Sequence, residues 1–334
     1  MNRRTLAALA AACAFAAAAQ AQSTAPTAPT VPGGAAGYPH KPIRLLLGYS
    51  PAGAADFIGR IVGDAMGKRL GQPVLVDNKP GAGSTLASGL LANAPADGYT
   101  LGLATGTLYG IDQYLYKVKY KTSDFTPLMR LTVSPLVLAV NPRLPVKNVA
   151  ELAAYARAHP GKLNYSSSGI GGSPHMGGLI FEKAVGAQMT HIPYKGGAPA
   201  LQAVAAGDVD LSFGTAASVL PLGQAGTVRM LGVSTAQRSA VAPELPTMAD
   251  NGLPGFDFTF WFGLFGPAKL PKDVADKLFN AAVDALNDPE VKARLLATGN
   301  EAAPMKSSAD FLQWATANGK FVLERAEAAG VKVE

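Results

Sequence analysis

Between positions 43 and 104 the chain alternates two hydrophobic rhythms. Ile43, Leu45, Leu46 and Leu47 form a short apolar run of strand length, broken at Gly48, Pro51 and Gly53. Phe57, Ile58, Ile61, Val62, Ala65, Met66 and Leu70 then recur at helical spacing. The pattern predicts a strand, a tight small-residue loop and a helix, with Asp56 as N-cap. The unit repeats. Pro73–Asp77 reads as a strand ended by Asn78-Lys79-Pro80-Gly81, followed by a small-residue helix to about Ala94. Gly98–Ala104 reads as a third strand, with Thr105-Gly106-Thr107 leading into further helix. A βαβαβα order predicts a largely parallel sheet covered by helices.

A second series follows. Leu136–Val140 reads as a strand, and Asn148–Glu151 as a capping box opening a helix. Leu163–Ser167 is a short strand, followed by the loop Ser168-Gly169-Ile170-Gly171-Gly172. Ser173 and Pro174 then read as N-cap and N1 of the next helix. Thr190–Pro193, Val209–Phe213 and Val228–Val233 are strands, the first two turning through Tyr194–Gly197 and Gly214-Thr215 into helices. From Asp250 the pattern changes. Gly255–Phe265 alternates aromatic residues with others and is the most strongly β segment of the chain. Helices over 271–286, 288–297 and 307–330 end it, the last opened by a Ser307–Asp310 capping box.

Charge and length narrow the class. The chain has 334 residues, enough for one large or two medium domains, and only 16% of them are charged. The net charge of +6 includes Arg3 and Arg4 and is otherwise spread without a basic run, which disfavours nucleic acid as a partner. Asn2-Arg3-Arg4, the apolar stretch Thr5–Ala19 and Ala19-Gln20-Ala21 have the layout of a secretory signal peptide over residues 1–21. Cleavage before Gln22 by the general or the twin-arginine route follows, and a periplasmic location with it. Residues 22–37 are rich in Ala, Pro, Thr and Gly and read as a flexible linker. The single cysteine, Cys13, lies inside the signal, so the exported chain has no thiol chemistry. No other apolar run is long enough to span a bilayer.

Motifs of catalysis are missing. The nucleophile elbow G-x-S-x-G does not occur, Gly171-Gly172-Ser173-Pro174-His175 coming nearest. No phosphate-binding P-loop occurs, and His40, His159, His175 and His191 have no metal-ligand spacing. No metal or cofactor is expected. His159 reads as a surface residue, His175 as a candidate ligand contact, and His191 as a core, hinge or ligand residue. Several βα loops of Gly, Ala, Ser and Thr feed helix N-termini instead. Such loops cluster at the carboxyl edge of a parallel sheet and suit a small anion, above all a carboxylate.

Six segments resemble the Bug or TctC-type proteins, the extracytoplasmic receptors of tripartite tricarboxylate transporters. They are Tyr38–Arg44, Gly71–Gly83, Ala96–Leu101, His191–Gly197, Leu245–Met248 and Trp261–Leu264. The resemblance implies a two-lobed α/β periplasmic binding protein of type II-like design, each lobe a central mainly parallel sheet flanked by helices. It implies closure on a carboxylate or other small organic anion held between two loops. The first family loop reads Pro-Gly-Gly-x-Thr/Ser-Asp, and here it is Pro51-Ala52-Gly53-Ala54-Ala55-Asp56, with Ser50 in place of a proline. Ala55 in place of the hydroxyl residue removes one donor and favours a less polar acid.

Residues 38–137 plus 258–334 are thus expected to form one lobe and 138–257 the other, hinged near Ser134–Leu136 and Phe258–Phe260. Ser50, Pro51, Ala52, Gly53, Ala54, Ala55 and Asp56 are the expected first-loop ligand contacts. Ser167, Ser168, Gly169, Gly172, Ser173 and His175 supply the second loop. Thr105, Thr107, Tyr194, Lys195 and Thr215 add contacts from neighbouring loops. The expected role is that of a monomeric solute receptor serving integral membrane transporter subunits. An exported α/β hydrolase and a ligand sensor for a membrane signalling partner are the alternatives.

Overall fold

The computed structural model describes residues 37–332 except Ala52 and Lys195. The signal-peptide and linker expectations for residues 1–36 lie outside this range, as do Ala52 and Lys195. In the first half, β1 (Ile43–Leu47) leads to α1 (Ala54–Leu70), β2 (Val74–Asn78) to α2 (Thr85–Ala92), and β3 (Thr100–Thr105) to α3 (Ile111–Leu115). β4 (Phe125–Val140) is followed by α4 (Val149–Ala158), β5 (Asn164–Ser167), α5 (Ser173–Val185) and β6 (Thr190–Pro193). Then come α6 (Gly197–Ala206), β7 (Leu211–Thr215), α7 (Ala216–Gln224), β8 (Arg229–Val233) and β9 (Thr259–Pro267). The end of the chain forms α8 (Lys272–Asn287), α9 (Pro289–Ala297), β10 (Glu301–Ala302) and α10 (Ser308–Ala328).

The strands join in the order β2-β1-β3-β9-β4-β7-β5-β6, with β8 and β10 also on β4. β1 runs parallel to β2 and β3, and β5 parallel to β6 and β7, as the βα rhythm requires. The strands that join the two series, β4 and β9, run antiparallel to their neighbours, so the sheet is mixed. β4 serves both halves. Its residues Phe125–Pro135 pair with β9, Leu136–Val140 pair with β7 on one side, and Val137–Val140 with β8 on the other.

Alternation explains why Leu136–Val140 is apolar throughout. Leu136, Leu138 and Val140 point into a core with Tyr165, Phe181 and Phe213, while Val137 and Ala139 point into another with Leu201, Val204 and Val219. In the first half, Leu45, Leu47, Leu101 and Leu103 pack on Ile58 of α1 and Leu278 of α8. Leu46 and Ala104 face the opposite layer with Trp261, Phe265 and Phe311. α10 contributes to both halves. Phe311 and Ala315 lie in the Trp261 cluster, and Ala326 in the cluster of Phe181.

Several details differ from the sequence reading. The N-cap of α1 is Gly53, not Asp56, which lies in the first turn and forms a two-pronged ion pair with Arg60 at 3.0 Å. Gly172 is the N-cap of α5, so Ser173 and Pro174 stand at N1 and N2. The capping residues Asn148 and Ser307 do accept from Glu151 and Asp310 N–H at 2.8 and 3.0 Å. The first eleven residues of β4 were not read as strand. Pro127 lies at a shift of register between Pro127 and Met129, where a missing N–H costs no ladder bond.

Candidate functional site

Register brings two sheet edges to one place. β1 lies between β2 and β3 in parallel, so the loops after all three leave from one edge. That edge ends at Thr105, which pairs with Phe262. Phe262 faces Thr132 of β4, three residues before the Pro135–Thr259 pair. The next residue, Leu136, pairs with Thr215 at the carboxyl end of β7. The carboxyl edges of both halves therefore meet at Pro135–Leu136.

On the first side the loop follows β1. Gly48 has no room for a side chain, because a Cβ there would overlap Ser84. The Tyr49 carbonyl accepts from the Asn78 amide at 3.0 Å, and the Tyr49 hydroxyl donates to Thr105 at 3.3 Å. Thr105 in turn lies 3.2 Å from the Thr107 hydroxyl. Burial, partly offset by the bond to Thr105, pushes the Tyr49 hydroxyl up to about 12, so it remains a donor. The chain of hydroxyls continues to Asp112, which is 2% exposed and accepts from the Tyr120 hydroxyl at 2.9 Å. Burial raises Asp112 to about 6 against the pull of Thr107 and Tyr120.

Ser50 and Pro51 are exposed, Gly53 and Ala54 half-buried, and Ala55 and Asp56 buried. The Ala55 methyl belongs to the hydrophobic core of the first half. α1 starts at Gly53 with no side-chain cap from that residue, and its axis presents a helix N-terminus to the loop.

The second side is built differently. Ser167 is fully buried, and its hydroxyl contacts His191 Nε2 at 2.7 Å, the Gly169 N–H at 3.1 Å and the Gly169 carbonyl at 3.0 Å. The Gly171 N–H donates to His175 Nδ1 at 3.0 Å, which places the His175 proton on Nε2. The two imidazoles stack with centroids 3.8 Å apart and planes 14° apart, with Tyr165 beside them. Burial, and the neighbouring His191, lower His175 to about 3. Burial lowers His191 to about 4. Both rings are neutral at neutral pH, so they stack without repulsion.

Gly171 has φ +75, a left-handed backbone that favours glycine, and a Cβ there would push aside the δ-methyl of Leu115 on α3. This is a direct contact between the second loop and the first half. Ser168, Gly169, Gly172 and Ser173 are half-buried at the N-terminus of α5. The Tyr194 N–H donates to the Ser167 carbonyl at 2.9 Å, and Thr215 lies 2.9 Å from the Ser218 hydroxyl. His159 is exposed and stacks on Tyr155, away from this edge.

Two participants escaped the sequence reading. Tyr49 lies within the first loop, but its link to Thr105 spans 56 positions. Asp112 follows Gly110 in a helix too short to show a period. No group of three or more His, Cys, Asp or Glu among the described residues is arranged to hold a metal. None of the described helices is long and apolar enough to cross a membrane.

Two α/β halves sharing two long strands, with small-residue loops and helix N-termini at the junction, define a periplasmic binding protein. The profile described as Tripartite tricarboxylate transporter family receptor matches residues 58–322, and the chain belongs to that family. It is 35% identical over 270 residues to the UPF0065 protein in the tcbD-tcbE intergenic region of Pseudomonas sp. (strain P51), covering 80% of each. It also resembles the structure of an R. palustris protein with adipate (30% identity, TM-score 0.79, 89% of this chain and 100% of that one). The structure of MatC from Rhodopseudomonas palustris with bound malate is similar too (29% identity, TM-score 0.74, 86% and 99%). The family is one of receptors, and the similar structure of BugD (29% identity, TM-score 0.75, 89% of this chain and 100% of that one) is that of a periplasmic binding protein, so the chain is a receptor and not an enzyme.

Proposed function

We propose that this receptor captures a small carboxylate at the junction of its two halves and delivers it to integral membrane transporter subunits. The observation that carries this reading is the meeting of both carboxyl edges at Pro135–Leu136, each bearing a helix N-terminus behind a loop of small residues. Adipate and malate in the two related structures are small dicarboxylates.

In this reading backbone N–H groups of residues 53–56, and those of 168–173 not already taken by Ser167, Gly169 or His175, hold the ligand together with the Ser50, Ser168 and Ser173 hydroxyls. Ser167 shapes the loop from beneath, because its hydroxyl is already engaged. Lobe one comprises 38–137 and 258–334, lobe two 138–257, and the hinge lies in β4 and before β9. Residues 1–21 direct export and are removed, leaving the receptor in the periplasm.

A thermal-shift screen of short monocarboxylates, dicarboxylates and tricarboxylates tests the ligand class. An acid at a hundred times its dissociation constant stabilises the folded state by about 2.7 kcal/mol, visible as a rise in Tm of a few degrees. No shift from any acid at millimolar concentration contradicts the reading.

A further inference from the structure

We infer that the protein carries a second anion site, lined from both halves beside the β4 crossover, for a small anion with two or more phosphate or carboxylate groups. A cavity of about 820 Å³ lies there, and it shares no residue with the loops at 50–56, 105–107 or 166–175. That volume is of the order of ordinary small-molecule sites.

Five cations line it. Arg130 comes from β4 and Arg325 from α10, while Arg157 on α4, Lys183 on α5 and Arg238 after β8 come from the second half. None of them forms a salt bridge among the described residues. The four arginines are nevertheless held in place. Arg130 donates from Nε to the Ala303 carbonyl at 3.0 Å and lies 4.5 Å over the Trp314 ring. Arg325 donates to the Phe321 carbonyl at 2.9 Å and lies 3.3 Å over the Phe321 ring. Arg157 and Arg238 each donate to a backbone carbonyl, of Val185 and Pro243, at 3.4 and 3.3 Å.

A guanidinium has five N–H donors in a rigid fork. One or so is used on each carbonyl, which fixes the fork and leaves the other donors for an occupant. Two carboxylates also line the cavity, but both have partners. Glu301 accepts from the Ser239 hydroxyl, and Asp257 accepts from the Ala236 N–H at 3.2 Å and the Thr259 hydroxyl at 3.4 Å. The cavity is thus net cationic, with guanidinium forks supplied by both halves. Forks of this kind match carboxylate and phosphate bidentately. An anion with two or more anionic groups can accept from arginines of both halves at once.

Calorimetric titration of the full chain with inorganic pyrophosphate at low ionic strength tests the site. Four variants accompany it. Arg157→Gln with Arg238→Gln removes two exposed cations of the second half, and Arg130→Gln removes the first-half fork. Lys292→Gln with Lys306→Gln lowers the net charge equally at residues that do not line the cavity. Gly169→Val disturbs the loop site alone. Pyrophosphate is expected to bind the wild type, at least tenfold more weakly to either cavity variant, and unchanged to the lysine and loop variants. Absent binding, equal weakening by the lysine pair, or loss in Gly169→Val would each overturn the site. Unchanged melting curves for the exposed Arg157→Gln, Arg238→Gln variant keep its result separate from folding.

Discussion

The two loop regions that meet at Pro135–Leu136 hold their polar groups by opposite means. On the first side a row of hydroxyls, Tyr49, Thr105 and Thr107, leads to a buried carboxylate, Asp112, whose proton affinity is raised by burial. On the second side a glycine-rich loop is tied by Ser167 and Gly171 to two stacked imidazoles, whose proton affinity burial lowers. Both arrangements keep formal charge low beneath the loop they support. The first does so with an acid that is half-neutral near pH 6, the second with bases that stay neutral well below it. Acid should therefore act on the two sides with opposite sign.

The strongest way to break the second side is at Gly171. A valine there combines a left-handed backbone with an overlap on Leu115, so Gly171→Val should cost about 3 kcal/mol or more and abolish carboxylate binding. Gly169 also has positive φ, +134, but no close neighbour, so Gly169→Ala should cost only the backbone strain, about 1–3 kcal/mol. Urea denaturation measures both.

The comparison sharpens in the pH dependence of stability. Asp112 has a folded pKa near 6 against an ordinary 3.8, so the native state binds its proton more tightly. Its ionisation should weaken stability by up to about 3 kcal/mol as pH rises from 4 through 6. Asp112→Asn should remove that fall, leaving a protein relatively more stable at pH 8 than at pH 4. The histidines act the other way. Their folded pKa values near 3 and 4 lie below the ordinary 6.5, so their contribution is full above 6.5 and is lost as pH falls towards 4. That loss should reach about 2–3 kcal/mol for the pair after allowance for partial exposure. His175→Asn should flatten it. Urea midpoints between pH 4 and 8 for the three proteins read both slopes, and slopes of the same sign would refute the contrast.

A smaller effect is expected at Ser167. Ser167→Ala removes the hydroxyl shared by His191 and Gly169, at about 1–2 kcal/mol in stability. Ligand affinity should weaken only as far as the loop loosens. His159→Ala, on an exposed ring outside both regions, should change stability by less than about 0.5 kcal/mol and binding not at all.

Most of the fold was legible because periodicity carried it. The βα units, the aromatic strand β9 and the three final helices follow from local spacing, and their ends lie within a few residues of those read from the sequence. The first part of β4 was not legible, since Pro127 and Pro135 cannot donate to a ladder and are disfavoured inside a paired strand. The structure accommodates Pro127 at a register shift and Pro135 where pairing passes from one half to the other. Asp56 misled for a related reason. A carboxylate before an apolar period reads as a cap, but the helix begins earlier at Gly53, and Asp56 turns to Arg60.

The site was legible as two small-residue loops and illegible as networks. His175 and His191 are 16 positions apart, and nothing local announces that their rings stack. Asp112 joins Tyr49 through hydroxyls from a different loop. Such contacts depend on strand order, which a βα rhythm leaves open.

The central claim is that a small carboxylate is held between these two regions. A crystal structure with the acid that raises Tm most tests it directly. One ligand carboxylate should lie about 3 Å from backbone N–H groups in 53–56 and in 168–173. An acid found only in the arginine-lined cavity, with the loop site empty, or one touching only one of the two loops, would contradict the account.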